Sequence, residues 1–333
     1  MEKLRFAFAG FRHDHITSLY TKIAANNDCE IVAAAESDVA TCNRLAQAGK
    51  VTITHNSIPE MLDTVECDVV AIGDCYGKRG KLVIDALKRG KHVISDKPLC
   101  TNLDELAEIK RLAQEKNLTI GCMYTIRDSL AIAGVKQLID EGKLGTITQI
   151  QFTAQHPLMR KTRPAWYFED GMQGGTINDI ACHAFDIIPF LAKSPVKRIV
   201  AARTWQAIEK ESSFKDAAQL MVELENGCGV MGDVSYSALD VAGYTNPCYW
   251  RYNIWGTNGM VEFNNNSTQI RCFINGSLGE SLLSVPALKN EGYLEGFLKE
   301  IAGEKSVVTT QVILEAAYWS LTAQQIADNE NTK

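Results

Sequence analysis

The sequence of 333 residues lacks several features that mark particular protein classes. Lysine and arginine total 34 against 40 aspartate and glutamate residues, so the formal net charge is −6 and there is no basic excess. Binding to nucleic acid or to an anionic membrane needs such an excess, and a small molecule is therefore the expected partner. No apolar run reaches the length of a membrane span, and we expect no signal peptide.

The cysteines also lack the spacing of a metal or redox motif. There are ten of them, dispersed along the chain with no Cys-x-x-Cys pair. Disulfide frameworks are typical of small secreted domains, and paired cysteines are typical of zinc sites. The pattern favours reduced, packed thiols and predicts a cytoplasmic protein.

The chain length exceeds most single hydrophobic cores, which predicts two domains. Residues 1-123 alternate short runs rich in Val, Ile and Ala with amphipathic stretches, a pattern typical of parallel strands joined by helices. Residues 124-333 show apolar and polar residues in alternation, with hairpin turns such as Glu225-Asn226-Gly227. We predict an α/β fold with an N-terminal doubly wound parallel sheet, followed by an α+β domain with a large, mainly antiparallel sheet. Its half-exposed face is a candidate subunit interface.

A turn poor in glycine follows the first apolar strand. Of the dinucleotide-binding pattern G-x-G-x-x-G only the first glycine is present, because the six positions are Gly10, Phe11, Arg12, His13, Asp14 and His15. The next strand ends in Glu36, about 20 residues further on, where a carboxylate binds the ribose hydroxyls. Position therefore favours a Rossmann-type nucleotide site over an ordinary strand-to-helix turn. Glu36 would repel a 2′-phosphate, which favours NAD, whereas Arg12 leaves NADP possible.

His13 and His15 also suggest a metal site, because two histidines two residues apart can chelate a cation from a loop. No third ligand stands nearby in the sequence at a recognisable spacing. We therefore predict no metal site and expect His15 to pack near the cofactor.

A Lys-Pro pair follows a later strand in the segment GKHVISDKPL. Ligands of open α/β sheets bind beyond the carboxyl ends of the strands, so Asp96 and Lys97 are expected in the crevice. Pro98 restricts the backbone of Lys97 to an extended conformation. The alternative is a surface turn with a solvated lysine.

Polar residues recur on an otherwise apolar helix in the segment QGGTINDIACHAFDIIPFL. Asp179, His183 and Asp186 stand at i, i+4 and i+7, which places them on one helix face. Burial of such a stripe is unfavourable unless its members bond one another or a ligand. His183 is therefore a candidate general base tuned by a carboxylate, suited to oxidising an alcohol; the alternative is a core histidine satisfied by a neighbouring carboxylate.

Taken in order, these motifs resemble the glucose-fructose oxidoreductase / inositol 2-dehydrogenase / rhizopine-catabolism (Gfo/Idh/MocA) family. GKHVISDKP is similar to the family signature GKHVxxEKP, and GGTINDIACHAFD is similar to GGGxxxDxxxHxxD. The resemblance implies an NAD(P)-dependent dehydrogenase that acts on a hydroxyl carbon of a sugar, inositol or related polyol, commonly as a homodimer or homotetramer formed through the C-terminal sheet.

The same resemblance implies the roles of individual residues. Lys97, Asp179 and His183 would be catalytic. The cofactor would contact a set spread over four strand ends: Gly10, Phe11, Arg12, His13, His15, Glu36, Asp74, Asp96 and Lys97. The substrate would contact Lys97, Tyr124, Arg163, Trp166, Asp179 and His183.

Two departures and two rival functions remain open. The segment Cys75 to Arg79 replaces the usual Asn-x-x-His run, and Thr125 stands where an arginine is usual, with Arg127 two residues on. The basic and aromatic loop that holds Arg163 and Trp166 is either a sugar pocket or a solvated loop.

Two functions compete with the polyol dehydrogenase. One is a catalytically silent, nucleotide-sensing regulator on the same fold, and the other is a relative acting on a trans-diol or an imine.

Overall fold

The computed structural model describes residues 2–287 and 289–330. These residues form two compact units: the first holds residues 2–123, 171–174 and 297–314, and the second holds the remainder. The first unit thus takes up two segments from the region that the sequence assigned to the second domain. The division into domains 1-123 and 124-333 stays a prediction.

The secondary structure alternates in the first part of the chain and is rich in strands in the second. The helices are α1 (His15–Ala24), α2 (Val39–Ala48), α3 (Ile58–Thr64), α4 (Tyr76–Lys88), α5 (Leu103–Lys116), α6 (Leu130–Asp140), α7 (Cys182–Ala192), α8 (Tyr293–Ile301) and α9 (Thr310–Glu330). The strands are β1 (Leu4–Ala9), β2 (Cys29–Ala35), β3 (Val69–Ile72), β4 (His92–Ser95), β5 (Ile120–Cys122), β6 (Ile147–Pro157), β7 (Val196–Trp205), β8 (Ala217–Leu224), β9 (Gly229–Ala238), β10 (Arg251–Gly256), β11 (Gly259–Asn264), β12 (Gln269–Ile274) and β13 (Ser281–Ser284).

The sheet of the first unit is parallel throughout, in the order β2-β1-β3-β4-β5. Its strands are buried on both faces, which is why they read as continuous apolar runs. The chain moves outward from β1 to β2 and then returns past β1 to β3. The carboxyl ends of β1 and β3 therefore form the switch point at which doubly wound sheets bind ligands.

The sheet of the second unit has eight strands in the order β13-β12-β11-β10-β6-β9-β8-β7. All neighbours are antiparallel except β6 and β9, which pair in parallel. The turn at Glu225-Asn226-Gly227 joins β8 to β9 as an antiparallel hairpin, and Gly227 has a φ of +84°. The predicted fold class is confirmed.

The alternating strands of the second unit bury one face. Along β8 the inward residues are Ala218, Leu220 and Val222, whereas Met221 faces out and stands opposite Met231 of β9. Helix α6 packs against β11 and β12. Among the described residues, no helix combines the length and apolar character that crossing a lipid bilayer requires.

Candidate active site

The glycine that remains in the nucleotide-type turn is required by its backbone. Gly10 has a φ of +83°, which side-chain-bearing residues rarely adopt. A Cβ atom at this position would lie 2.8 Å from the Cβ of Asp74. Gly10 and Asp74 therefore approach each other at the switch point, as the turn after β1 meets the end of β3.

The role of the missing third glycine is taken by a residue that directly follows another strand. In the pattern that glycine allows the helix to pack closely on the sheet, but His15 occupies its position. Here Gly73 provides the space, because a Cβ atom on it would lie 2.5 Å from the Cβ of Ile16 in α1. The backbone N–H of His13 also donates to the carbonyl of Gly73 at 3.1 Å. Gly73 thus lets α1 dock without a glycine of its own.

Glu36 joins β2 to this turn. One carboxylate oxygen accepts from the Phe11 backbone N–H at 2.6 Å, and the other accepts from the Asp38 N–H at 2.8 Å. The side chain is buried, and this burial raises the pKa of Glu36 although the two backbone donors oppose the shift. Each oxygen keeps a lone pair, so the carboxylate can still accept from ribose hydroxyls.

Arg12 lies beside a carboxylate instead of pointing alone into the turn. Its Nη1 is 3.6 Å from Oδ2 of Asp38, the residue whose side chain also caps α2 by accepting from the Thr41 N–H. The hydrogen bonds of Thr41 lower the pKa of Asp38. Arg12 is thus partly neutralised, which weakens the case for an arginine devoted to a 2′-phosphate.

Asp96 is the centre of a buried polar cluster after β4. Its Oδ2 accepts from Nδ1 of His13 and lies 3.2 Å from Nη2 of Arg79, while Oδ1 accepts from the Lys97 N–H at 2.8 Å and lies 3.4 Å from Nδ1 of His15. Burial alone would raise the pKa of Asp96, but the charge of Arg79 and the hydrogen bond from His13 hold it well below its usual value. Burial lowers the pKa of His13 to about 3, so this imidazole is neutral.

Arg79 holds the segment that carries Lys97. The guanidinium is fully buried and donates to the carbonyls of Asp74 (2.8 Å), Lys97 and Pro98 (3.3 Å) as well as to Asp96. The Lys97–Pro98 peptide bond is cis. The Lys97 ammonium lies 5.7 Å from the ring centroid of Tyr76, and the lysine is buried. The structure thus contradicts the alternative of a solvated surface lysine.

The residues of the first unit fit a dinucleotide. The turn after β1 is held open by Gly10, a buried carboxylate ends β2, and polar residues follow β3 and β4 at the same edge of the sheet. These are the places where a doubly wound sheet meets the pyrophosphate, ribose and nicotinamide. The residues that suit a dinucleotide lie at the strand ends, so the suitability of the site does not depend on the second and third glycines of the pattern.

The second unit presents Asp179 and His183 at the start of a helix. Residues Ile177–Ala181 form one turn of π-helix that leads into α7, a form of helix that often marks functional sites. Asp179 accepts from the hydroxyl of Tyr236, and both are buried. Burial first and the Asp179 charge second raise the pKa of Tyr236 well above its usual value, so the hydroxyl remains a donor.

Aromatic rings surround His183. The ring of Tyr124 lies 5.8 Å from the imidazole and the ring of Trp250 lies 5.5 Å from it, both edge to face. His183 and Tyr124 are buried. The imidazole therefore contacts two aromatic rings and lies one turn of helix after Asp179.

Asp186 differs from the other two members of the predicted stripe. Its Oδ2 accepts from Nε of Arg127 at 3.1 Å and its Oδ1 accepts from Nη2 at 2.5 Å, and both side chains are buried. This bidentate ion pair accounts for Arg127, whose role the sequence left open. Asp186 therefore anchors α7, whereas the functional role of Asp179 and His183 stays a prediction.

A helix at the end of the chain positions this segment. Gly175 has a φ of +97°, and a Cβ atom on it would lie 2.1 Å from the side chain of Gln324 in α9. The side-chain amide oxygen of Gln324 accepts from the Ile177 backbone N–H at 3.0 Å, and the Ser320 hydroxyl donates to the side-chain oxygen of Asn178 at 3.1 Å. The glycine is thus needed for close approach, and α9 supplies the acceptor that the π-helical turn requires.

The aromatic loop before the helix is packed, which contradicts the alternative of a fully solvated loop. Trp166 and Tyr167 are buried with ring centroids 4.3 Å apart. Arg163 donates to the carbonyls of Leu158 (2.7 Å) and Pro157 (2.9 Å), and its guanidinium lies 5.1 Å from the ring of Tyr236. Arg163 is therefore a neighbour of the Tyr236–Asp179 pair.

Sequence reasoning missed several residues that build the site: Gly73, Tyr76, Arg79, Tyr236 and Gln324. Tyr236 lies 57 residues from Asp179, and Arg79 lies 17 residues from Asp96. No periodicity connects such pairs. The one usable signal was the departure at Cys75 to Arg79, which marked the segment as unusual without giving its role.

Comparison with known proteins identifies the family of the chain. Residues 4–124 match the model of the oxidoreductase family with an NAD-binding Rossmann fold, and residues 132–262 match the GFO/IDH/MocA C-terminal domain. The chain is 24% identical over 302 residues to 1,5-anhydro-D-fructose reductase of Ensifer adhaerens, covering 83% of each chain. It is 24% identical over 216 residues to D-xylose dehydrogenase of Paenarthrobacter nicotinovorans, covering 60% of this chain and 55% of that one.

Several curated relatives match over about half of their length, as the xylose enzyme does. Among solved structures, an inositol dehydrogenase homologue complexed with NAD+ from Azotobacter vinelandii superposes with a TM-score of 0.78 at 16% identity, covering 98% of this chain and 96% of that one. This likeness shows the fold. With both domain models matched, the chain belongs to the Gfo/Idh/MocA family of NAD-binding oxidoreductases.

Proposed function

We propose that the protein transfers hydride between a nicotinamide cofactor and a hydroxyl carbon of a sugar, inositol or related polyol. The observation that carries this proposal is the group formed by Asp179, Tyr236 and His183, a buried carboxylate and hydroxyl one helical turn from an imidazole. Such a group suits proton removal from an alcohol. The sugar-converting relatives reported above support the substrate class.

Oxidation of an alcohol to a ketone removes one proton from oxygen and one hydride from the same carbon. We assign the proton to His183, which receives it as the carbonyl forms. Asp179 favours the resulting imidazolium through its negative charge. Lys97 stabilises the developing alkoxide. NAD, when bound, would supply the hydride acceptor, and in the reverse reaction His183 would return the proton.

The proposed cofactor residues are those at the strand ends of the first unit. Gly10, Phe11, Arg12, His13 and His15 would line the pyrophosphate turn, whereas Glu36 would accept from ribose hydroxyls. Asp74, Asp96 and Lys97 would lie along the nicotinamide half. The buried Glu36 supports a preference for NAD, since a 2′-phosphate beside this carboxylate would be repelled.

The proposed substrate residues include an aromatic and basic set. Tyr124, Arg163 and Trp166 would supply apolar faces and a cation near Asp179 and His183. The edge-to-face contact of Tyr124 with His183 supports its place in this set. Aromatic faces pack well against the C–H surfaces of sugars.

We also propose a homo-oligomer formed through the sheet of the second unit. Its outer face carries a groove of about 640 Å³ lined by Val200, Met221 and Met231, each about half exposed. Exposed apolar patches of this kind commonly mark interfaces. Substitution of Met221 by Glu should lower the molar mass measured by light scattering, and an unchanged mass would contradict this interface.

The ten free cysteines support a reducing, cytoplasmic location.

The test begins with fluorescence titration of NADH and NADPH. Sugars, inositols and sugar acids are then screened with NAD+ by nicotinamide absorbance. His183→Ala should lower kcat by about 10²- to 10⁴-fold with little change in NADH affinity, and Lys97→Ala should lower kcat as well. Lys143→Ala, an exposed lysine of the second unit, is the matched control.

Three results would count against parts of the proposal. Nucleotide binding without turnover on any substrate would favour the regulator, and turnover confined to a trans-diol or an imine would favour that other reaction. Turnover unchanged in both variants would contradict the assigned roles. Much tighter binding of NADPH than of NADH would contradict the role of Glu36.

A further inference from the structure

Two histidines and one aspartate meet at one point in the first unit. His13 and His15 come from the turn after β1 and the start of α1, whereas Asp96 follows β4. One ligand atom from each lies within 4.8 Å of the other two. The sequence showed the two histidines without a third ligand, and the fold brings that third ligand from 83 residues away.

We propose that His13, His15 and Asp96 bind a divalent first-row transition-metal cation such as Zn²⁺. Two imidazole nitrogens and one carboxylate oxygen form a donor set that such cations prefer. Three protein ligands leave at least one coordination position open. This site goes beyond the proposed oxidoreductase activity, in which no step requires a metal.

The distances suit a small cation. A tetrahedral ion with ligands at about 2.0–2.2 Å has neighbouring donor atoms a little over 3 Å apart. Nδ1 of His15 lies 3.4 Å from Oδ1 of Asp96, which matches such an edge. The rings of His13 and His15 lie 4.2 Å apart by centroid. The third donor, Nδ1 of His13, hydrogen-bonds the other carboxylate oxygen of Asp96, so it belongs to the same cluster.

The hydrogen bonds of His13 are compatible with binding. Its Nδ1 donates to Asp96 in the structure, and a ligating nitrogen must lose its proton when a metal binds. On metal binding the imidazole changes tautomer, so that Nδ1 becomes the ligand and Nε2 carries the proton. The Tyr76 hydroxyl lies 3.1 Å from Nε2 and can accept a hydrogen bond from the Nε2–H group, and outer-shell partners of this kind orient ligating histidines.

The surroundings of the site set its strength and its access. Arg79 lies 3.2 Å from Oδ2 of Asp96, whereas Oδ1 lies 3.4 Å from Nδ1 of His15. The nearby guanidinium charge makes the site weaker than one with an unpaired carboxylate. The side chain of His15 is 48% exposed although Asp96 is fully buried, so an ion can enter from the His15 side.

The test is a Zn²⁺ titration of the full-length protein after chelator treatment, followed by calorimetry. We expect one equivalent to bind. His15→Ala and His13→Gln should each lower the affinity by at least about 10-fold, and Tyr76→Phe should lower it by about 10- to 100-fold. His55→Ala, in which a histidine of the same unit outside the cluster is removed, is the matched control and should bind like the wild type.

Cobalt provides a second readout that reports the ligands. Co²⁺ at this site should show visible bands of a nitrogen and oxygen environment and no thiolate charge-transfer band. A thiolate band would assign the ion to cysteines and overturn the proposal. Absence of stoichiometric binding, or affinity unchanged in both His13→Gln and His15→Ala, would overturn it as well.

Nucleotide binding is measured separately in the chelated wild type. NADH binding there, together with failure of the Zn²⁺ predictions, would overturn the metal site alone. If the chelated wild type does not bind NADH, but Zn²⁺ binds and its affinity falls in the histidine variants, the nucleotide proposal alone is overturned.

Discussion

Asp179 and Asp186 belong to one helical segment and one sequence signature, but they have unlike partners. Asp186 is held by the guanidinium of Arg127, so its charge is balanced by an opposite charge at hydrogen-bond distance. Asp179 accepts from the hydroxyl of Tyr236, and it lies one helical turn from His183. A carboxylate held by a guanidinium stabilises the fold, whereas we propose that the one beside the imidazole acts on it.

The largest expected effect comes from removing Asp186. Asp186→Ala leaves the Arg127 charge buried without its partner and should lower the free energy of unfolding by about 3–5 kcal/mol. Chemical denaturation measures this change. Asp140→Ala, which removes an exposed carboxylate that pairs with Lys193 at 2.6 Å, should cost about 1 kcal/mol or less. Equal losses in the two variants would contradict the anchoring role of Asp186.

Asp179→Asn should affect the reaction more than the fold. We expect kcat to fall by at least about 100-fold while NADH affinity stays unchanged. The acid limb of the kcat/KM profile should move to lower pH, because the charge that favours the imidazolium form of His183 is gone. Steady-state kinetics across pH measures both changes. An unshifted limb would show that Asp179 does not tune His183.

Tyr236→Phe should have an intermediate effect. The substitution takes a donor from the buried Asp179 carboxylate, which costs about 1–3 kcal/mol of stability. Because Asp179 is then held less firmly, kcat should also fall, though by less than in Asp179→Asn. Thermal unfolding and kinetics of the same preparation measure the two effects. If the variant has wild-type stability and turnover, Tyr236 has no role in the site.

Replacing both members of the Asp186–Arg127 pair should have the smallest effect. Buried ion pairs can often be exchanged for apolar side chains of similar volume at little cost in stability. Arg127→Met combined with Asp186→Leu should therefore recover most of what Asp186→Ala loses, as measured by denaturant unfolding. If the double variant is as unstable as Asp186→Ala, the pair has a role beyond charge balance.

The fold could be predicted from the sequence because the patterns that indicate its strands and helices are local. Apolar runs separated by helices predict parallel strands, and period-2 alternation with Gly227 in a turn predicts the β8–β9 hairpin; both agree with the structure. Lys97 and Glu36 could be placed because residues that follow parallel strands meet at one sheet edge. These inferences need only the order of the elements.

The pairings within the site could not be predicted in this way. Asp179 meets Tyr236 and Asp96 meets His13 through the packing of distant elements, and no spacing encodes either contact. His15 replaces the third glycine of the pattern, and nothing in the sequence showed that Gly73, which follows β3, supplies the space instead. The π-helical turn at Ile177–Ala181 was likewise invisible to a period of 3.6 residues.

The most direct test of the central claim is the turnover of His183→Ala with the best polyol found for the wild type. NADH binding and thermal unfolding of the same preparation establish that the first unit and the fold are intact. We predict unchanged nucleotide affinity and a rate of nicotinamide reduction at least about 100-fold below that of the wild type. A rate equal to the wild type would contradict the assignment of the proton to His183.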